Sequence, residues 1–249
     1  MKQILAKMGI LFCILFLLAG CTTEKKEVPK GESEVSETTP EPKETGKPQT
    51  LGGWQVNDEV ITASMTEDAK TAFDAAMEGL VGVGYTPAAL LATQVVSGTN
   101  YLILAQGTTV TASPEAGWYL IKIYQNLQGE AETSSIEKID LNDIKTAEAA
   151  ENKNLLGGWK IQPVSNAITL PQDESKAFNQ AAEAYEPAVL SPLALLAKQV
   201  VNGTNYLIFC QGTDADNAVA FYIVKMYVAL KGESEISEAQ IIDITAYVK

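Results

Sequence analysis

Few residues of this chain could do covalent chemistry. It contains no histidine and no arginine, and its three cysteines are Cys13, Cys21 and Cys210. Without imidazole there is no Ser-His-Asp arrangement and no histidine-based metal site. Cys210 sits between Phe209 and Gln211 in a β-prone run, with no base to activate it. It reads as a small buried hydrophobe, and no disulfide within the folded part is expected. Asp140 and Asp243 recur at matching places but lie in strand-like segments. No activated nucleophile or base can be assembled from these residues, so no enzyme, metal site or cofactor is expected.

The spacing that stands out suits recognition instead. Gln94-Val95-Val96-Ser97-Gly98-Thr99-Asn100-Tyr101 returns as Gln199-Val200-Val201-Asn202-Gly203-Thr204-Asn205-Tyr206. In each copy two β-prone runs flank a polar residue and a glycine. Asn-Gly between such runs is a strong hairpin signal, and Ser-Gly is a weaker one. A two-residue turn is expected in each, with glycine supplying the positive φ.

Charge narrows the partners. The 249 residues carry a formal charge of −13. Phosphate binding needs clustered Lys or Arg, so nucleic acid is not expected.

The chain begins with Lys2 and Lys7, then an apolar run from Ile10 to Leu18, then small residues. That is the layout of a secretory signal peptide over residues 1–20. Leu18-Ala19-Gly20-Cys21 resembles the lipobox of bacterial lipoproteins. The resemblance implies cleavage before Cys21, its lipidation, and a place on the extracytoplasmic face of a cell membrane. Residues 21–50 are rich in Glu, Lys, Thr and Pro and cannot bury enough to fold. As a flexible tether, 22–50 would span roughly 30 Å.

The rest is a duplication. Leu51-Gly52-Gly53-Trp54 recurs as Leu156-Gly157-Gly158-Trp159, Phe73 as Phe178, Pro87 as Pro192, and Gln106-Gly107 as Gln211-Gly212, all offset by 105. After the next loop the offset is 103, as for Lys122 and Lys225 or Gly129 and Gly232. Two domains follow, 51–143 and 155–249, joined by a linker at 144–154.

Each copy holds one helix pattern. Ser64-x-x-Glu67 and Thr169-x-x-Gln172 have capping-box spacing, and Pro171 fits a first turn. Phe73, Ala76, Met77 and Leu80 form one apolar helical face, as do Phe178, Ala181, Ala182 and Tyr185. Four β-like runs follow: 88–96, 99–106, 118–127 and 136–143, with counterparts in the second copy. One helix and then serial strands predict an α+β class, an antiparallel β-sheet wrapped around one α-helix in each domain. Trp54 and Trp159 read as packing residues.

With these residues in place, the chain resembles the cystatins, and among them the disulfide-free stefins. The family's Gln-x-Val-x-Gly hairpin tip is matched by Gln94, Val95, Val96, Ser97 and Gly98, and by Gln199, Val200, Val201, Asn202 and Gly203. Thr-Asn-Tyr continues the stefin pattern. The family's glycine before the first strand is matched by Gly52 and Gly53, and by Gly157 and Gly158. Its second hairpin, usually tipped Pro-Trp and often carrying leucine in stefins, corresponds to the stretches holding Leu127 and Leu230.

The resemblance implies two tandem cystatin-like domains that inhibit papain-like cysteine proteases reversibly. The glycine region and two hairpin tips would lie side by side and occlude the active-site cleft. Each tip valine or leucine would contribute up to about 1.5–3 kcal/mol if fully buried. The tip glycine would let backbone approach the cleft wall. Pro-Trp is missing from both second hairpins, and the second copy's lead-in is tied to the linker, which favours the first copy. The alternative is a non-inhibitory binding or adhesion module on the cell surface, since fold does not fix function.

Overall fold

The computed structural model describes residues 53–57, 65–141, 158–164, 170–213 and 219–244. The signal segment, Cys21, the tether and the linker lie outside the described residues, as do Gly52 and Gly157.

Five strands form the first sheet: β1 (Trp54–Val56), β2 (Val83–Val96), β3 (Gly98–Thr109), β4 (Ala116–Gln125) and β5 (Ala131–Lys138). They lie in chain order and every neighbouring pair is antiparallel. The second sheet repeats the plan with β6 (Lys160–Ile161), β7 (Val189–Val201), β8 (Gly203–Thr213), β9 (Val219–Val228) and β10 (Ser234–Ile242). Pro87 and Pro192 each sit at a register shift in β2 and β7. A bulge is where a strand tolerates a residue that has no N–H to donate.

Helix α1 (Glu67–Met77) starts at Thr66, whose hydroxyl accepts the Ala69 N–H at 3.2 Å. Glu67 and Asp68 complement the positive end of the helix dipole. Helix α2 (Gln172–Glu183) starts at Pro171 with no side-chain cap. Ser64 and Thr169, the expected capping-box residues, lie outside the described residues, and the N-cap positions are Thr66 and Pro171. Leu80 lies beyond α1 and is exposed.

The strands explain where the core sits. Side chains alternate across a strand. Along β3, Tyr101, Ile103 and Ala105 join Ala69, Ala72, Phe73 and Ala76 of α1 in one buried cluster. The intervening Leu102 and Leu104 turn the other way. They join Leu91, Trp118 and Leu120, together with Leu196, Leu207, Phe209, Phe221 and Ile223 of the second sheet. The inner strands of each sheet are thus buried on both faces, by a helix on one and by the sister sheet on the other. The described residues all fall in one compact unit.

This overturns the α+β, cystatin-like fold class. Among the described residues two helices, of 11 and 12 residues, are outweighed by ten strands. The architecture is two antiparallel five-stranded sheets sharing a core, not a sheet wrapped around a helix in each domain. The physical reason is the second apolar face. Tyr101–Ala105 and Trp118–Ile123 run almost without polar interruption. Such a strand has no side to give to water.

The contact between sheets is reciprocal. Gln106 donates to the Gln162 carbonyl and Gln211 donates to the Asn57 carbonyl. Asn57 and Gln162 are equivalent positions in the repeat, as are Gln106 and Gln211. These two glutamines are the buried polar side chains of the described core. Their bonds satisfy amides that would otherwise be stranded in an apolar layer. The pattern is that of an isologous dimer interface within one chain. Trp118 adds an indole N–H to the Leu196 carbonyl at 3.0 Å.

Candidate docking edge

The β2–β3 hairpin forms because Ala92–Val96 and Thr99–Leu104 are β-prone and pair without a slip near the tip. Val95 faces Thr99 and Val96 faces Gly98. That register leaves Ser97 alone at the apex, with Gly98 already in the ladder. In the second hairpin Val201 faces Gly203 and Asn202 is the apex. The turns are tighter than the two-residue form expected.

Gly98 has φ +135° and Gly203 has φ +123°, a region glycine enters without a Cβ penalty. The space beside each glycine is filled from inside the molecule. A Cβ on Gly98 would lie 2.3 Å from the Gln125 carbonyl oxygen and 2.8 Å from the Tyr124 ring, and one on Gly203 would lie 2.5 Å from the Val228 carbonyl oxygen and 2.7 Å from the Tyr227 ring. The Tyr124 hydroxyl donates to the Ser97 carbonyl at 2.7 Å, and Tyr227 donates to the Asn202 carbonyl. Within the chain, each glycine makes room for the facing Gln125 or Val228 carbonyl and for the tyrosine beside it.

Behind the tip lies a row of paired residues. Trp54 faces Gln94, Gln94 faces Asn100, Asn100 faces Tyr124, and Tyr124 faces Glu132. Asn100 donates its side-chain amide to Gln94 at 2.6 Å, and Asn205 donates to Gln199 at 2.9 Å. The glutamine and asparagine of the repeated stretch therefore lock its two strands together. Lys122 lies 5.5 Å above the Trp54 ring. Trp54 and Trp159 pack against the core between the sheets. Burial pushes the Tyr101 hydroxyl above its ordinary pKa, and it bonds Gln125 at 3.2 Å.

The second turn stands beside the first tip. Thr99 pairs with Gln125, so Gly98 and Asn126 share one level of the sheet. Asn126 Oδ1 accepts the N–H groups of Gln128 and Glu130 at 2.9 and 3.0 Å, and its amide donates to Glu130 at 2.8 Å. These bonds hold a turn from which Leu127 projects, 78% exposed. In the second sheet Ala229 occupies the place of Asn126. There the turn keeps its backbone bonds, between Ala229 and Glu233 and between Gly232 and Ala229, and Leu230 is 81% exposed.

The expected site residues fall as follows. Gly53 begins the lead-in to β1, level with the hairpin arm through Trp54 and Gln94. Val95 is half-buried, Val96 is 39% exposed and Ser97 is exposed. Gly158 is exposed, Val200 is 67% exposed and Val201 is 44% exposed. Gln94 and Gln199 are committed to the cross-strand bond. In each sheet the first-strand entry, the hairpin tip and the leucine turn thus share one end. Sequence reasoning missed Tyr124, Tyr227 and Asn126. The recurrence of tyrosine at the 103 offset was the available signal for the first two.

Cys210 is buried in the cluster under α2. Burial holds its thiol well above the ordinary range, so it stays neutral. Among the described residues no group of three or more acidic or cysteine side chains is placed to hold a metal ion. No protein-family model matches this chain, and no curated protein or solved structure matches it either.

Proposed function

We propose that each sheet end docks into the active-site cleft of a papain-like cysteine protease and inhibits it by occlusion. What carries the reading is the shared level of three elements at one rim: the entry to β1, the Val96–Gly98 tip and the Leu127 turn. The repeated Gln-Val-Val-x-Gly stretch supports it as well. Exposed valine and leucine at these points supply apolar area, each worth about 1.5–3 kcal/mol if fully buried. Hydrogen bonds within the tip and turn lower the ordering cost of docking. The fold itself is not an argument for the activity.

In this reading the lipid on Cys21 and the tether hold the inhibitor off a membrane surface. Two acyl chains would anchor it stably. Among the described residues no helix is long and apolar enough to cross a membrane. The test is titration of the mature protein against papain with a small fluorogenic substrate. Reversible inhibition is expected, weakened about tenfold or more when Leu127→Asp and Leu230→Asp are combined. Full protease activity at micromolar protein would remove the proposal.

A second reading is a non-inhibitory adhesion module. The shared core favours it to this extent: two exposed apolar ends on one body suit avidity for a repeated partner. An intact docking edge that binds a surface protein without slowing any papain-like enzyme would select it.

A further inference from the structure

We infer that Tyr124 and Tyr227 are positioning residues that hold the hairpin tips in their docking shape. Three observations carry this. Each tyrosine hydroxyl is bonded to the carbonyl of the apex residue, Ser97 or Asn202. Each ring packs beside a glycine, Gly98 or Gly203, whose missing Cβ leaves room for the ring and for the facing Gln125 or Val228 carbonyl. The same arrangement occurs in both sheets although the apex residues differ.

The geometry follows from the ladder. Tyr124 pairs directly with Asn100, so Gly98 is its diagonal neighbour on the same face, within reach of a long aromatic side chain. The ring therefore lies along the hairpin arm and its hydroxyl arrives at the apex. A tight turn exposes its apex carbonyl, and a hydrogen bond from a neighbouring strand fixes which way that carbonyl points. The apex peptide, and the side chains on either side of it, are then held in one orientation. The glycine and the tyrosine act together: a Cβ at position 98 would press on both the Gln125 carbonyl and the Tyr124 ring, and loss of the hydroxyl would release the apex.

The inference rests on the protease-docking reading of this edge, and its test has one arm that does not. The variant is Tyr124→Phe combined with Tyr227→Phe in the full mature chain, which keeps both rings and removes both hydroxyls. Tyr119→Phe is the matched control, because Tyr119 packs edge-on against Tyr85 at the far end of the sheet. Amide hydrogen exchange over 96–99 and 201–204 should rise about 3- to 10-fold in the double variant, the range one net hydrogen bond allows. Inhibition of papain should weaken by a similar factor through slower association, and the thermal midpoint should fall by no more than the several degrees that two lost hydrogen bonds allow. The control should alter neither. Unchanged exchange at the tips would overturn the brace, whatever happens to inhibition. Faster exchange with unchanged inhibition would show that tip shape is not what docks. A wild-type chain with protected tips that inhibits nothing would remove the protease reading and, with it, the positioning role.

Discussion

The two sheet ends share their first turn and differ in their second. Both tips carry glycine at positive φ, a tyrosine bonded to the apex carbonyl, and a Gln–Asn bridge across the arms. The leucine turns are unlike. Asn126 ties down two amides in the first, and Ala229 has no polar side chain to offer in the second. The helix starts differ in the same sense, with a Thr66 cap on α1 and none on α2. Duplication has kept what geometry demands and let go of what only adds local order. If both ends dock, the first presents a stiffer surface and meets a lower ordering cost.

The comparison presumes that the two ends belong to one folded body, and the largest expected effect tests that. Trp118 is 1% exposed in the core between the sheets. Trp118→Ala should cost about 3–5 kcal/mol, and urea unfolding should stay a single transition that moves for both repeats together. Two separate transitions, with the second repeat untouched, would break the comparison at its root.

Next come the features held in common. Gly98→Ala and Gly203→Ala should each cost about 1–3 kcal/mol, from the disfavoured φ and the overlap with the facing carbonyl and the tyrosine. Similar losses at the two tips, read from urea midpoints, are expected. A large loss at one tip alone would mean that the tips are not equivalent.

The differing turn gives a smaller, reciprocal effect. Asn126→Ala should cost about 1 kcal/mol, because the Gln128 and Glu130 amides lose their side-chain acceptor. Ala229→Asn should return some of that at the other end. Equal and negligible effects at both sites would dissolve the contrast between the ends. The helix caps sharpen it at the same scale. Thr66→Ala should cost about 1 kcal/mol, a fall in thermal midpoint of about 2–4 °C. Pro171→Ser should raise the midpoint slightly.

The duplication, the hairpins and the helical faces around Phe73 and Phe178 were legible in the sequence because each has a local period or a local turn signal. The sheet-on-sheet core was not read, although its mark was present. Tyr101–Ala105 lacks the alternation of a strand with one wet face, and a single-helix picture leaves Leu102 and Leu104 with no partner. Gln106 and Gln211 were visible as landmarks of the repeat, but their bonds to Gln162 and Asn57 join residues 56 and 154 positions apart. No local pattern encodes such a contact. At the docking edge, the level of tip and turn followed from hairpin order. The tyrosine brace did not, because a diagonal contact depends on register, and one residue of slip would turn the ring to the other face.

The most direct measurement is stoichiometry. Mature protein titrated calorimetrically into active papain, and again into papain whose active-site cysteine is alkylated with a bulky cleft-filling group, reads docking and its location together. Reversible, saturable binding to active enzyme is expected, with up to two enzymes per chain and none to the filled cleft. Equal binding to both enzymes, or no binding to either at micromolar concentration, would contradict it.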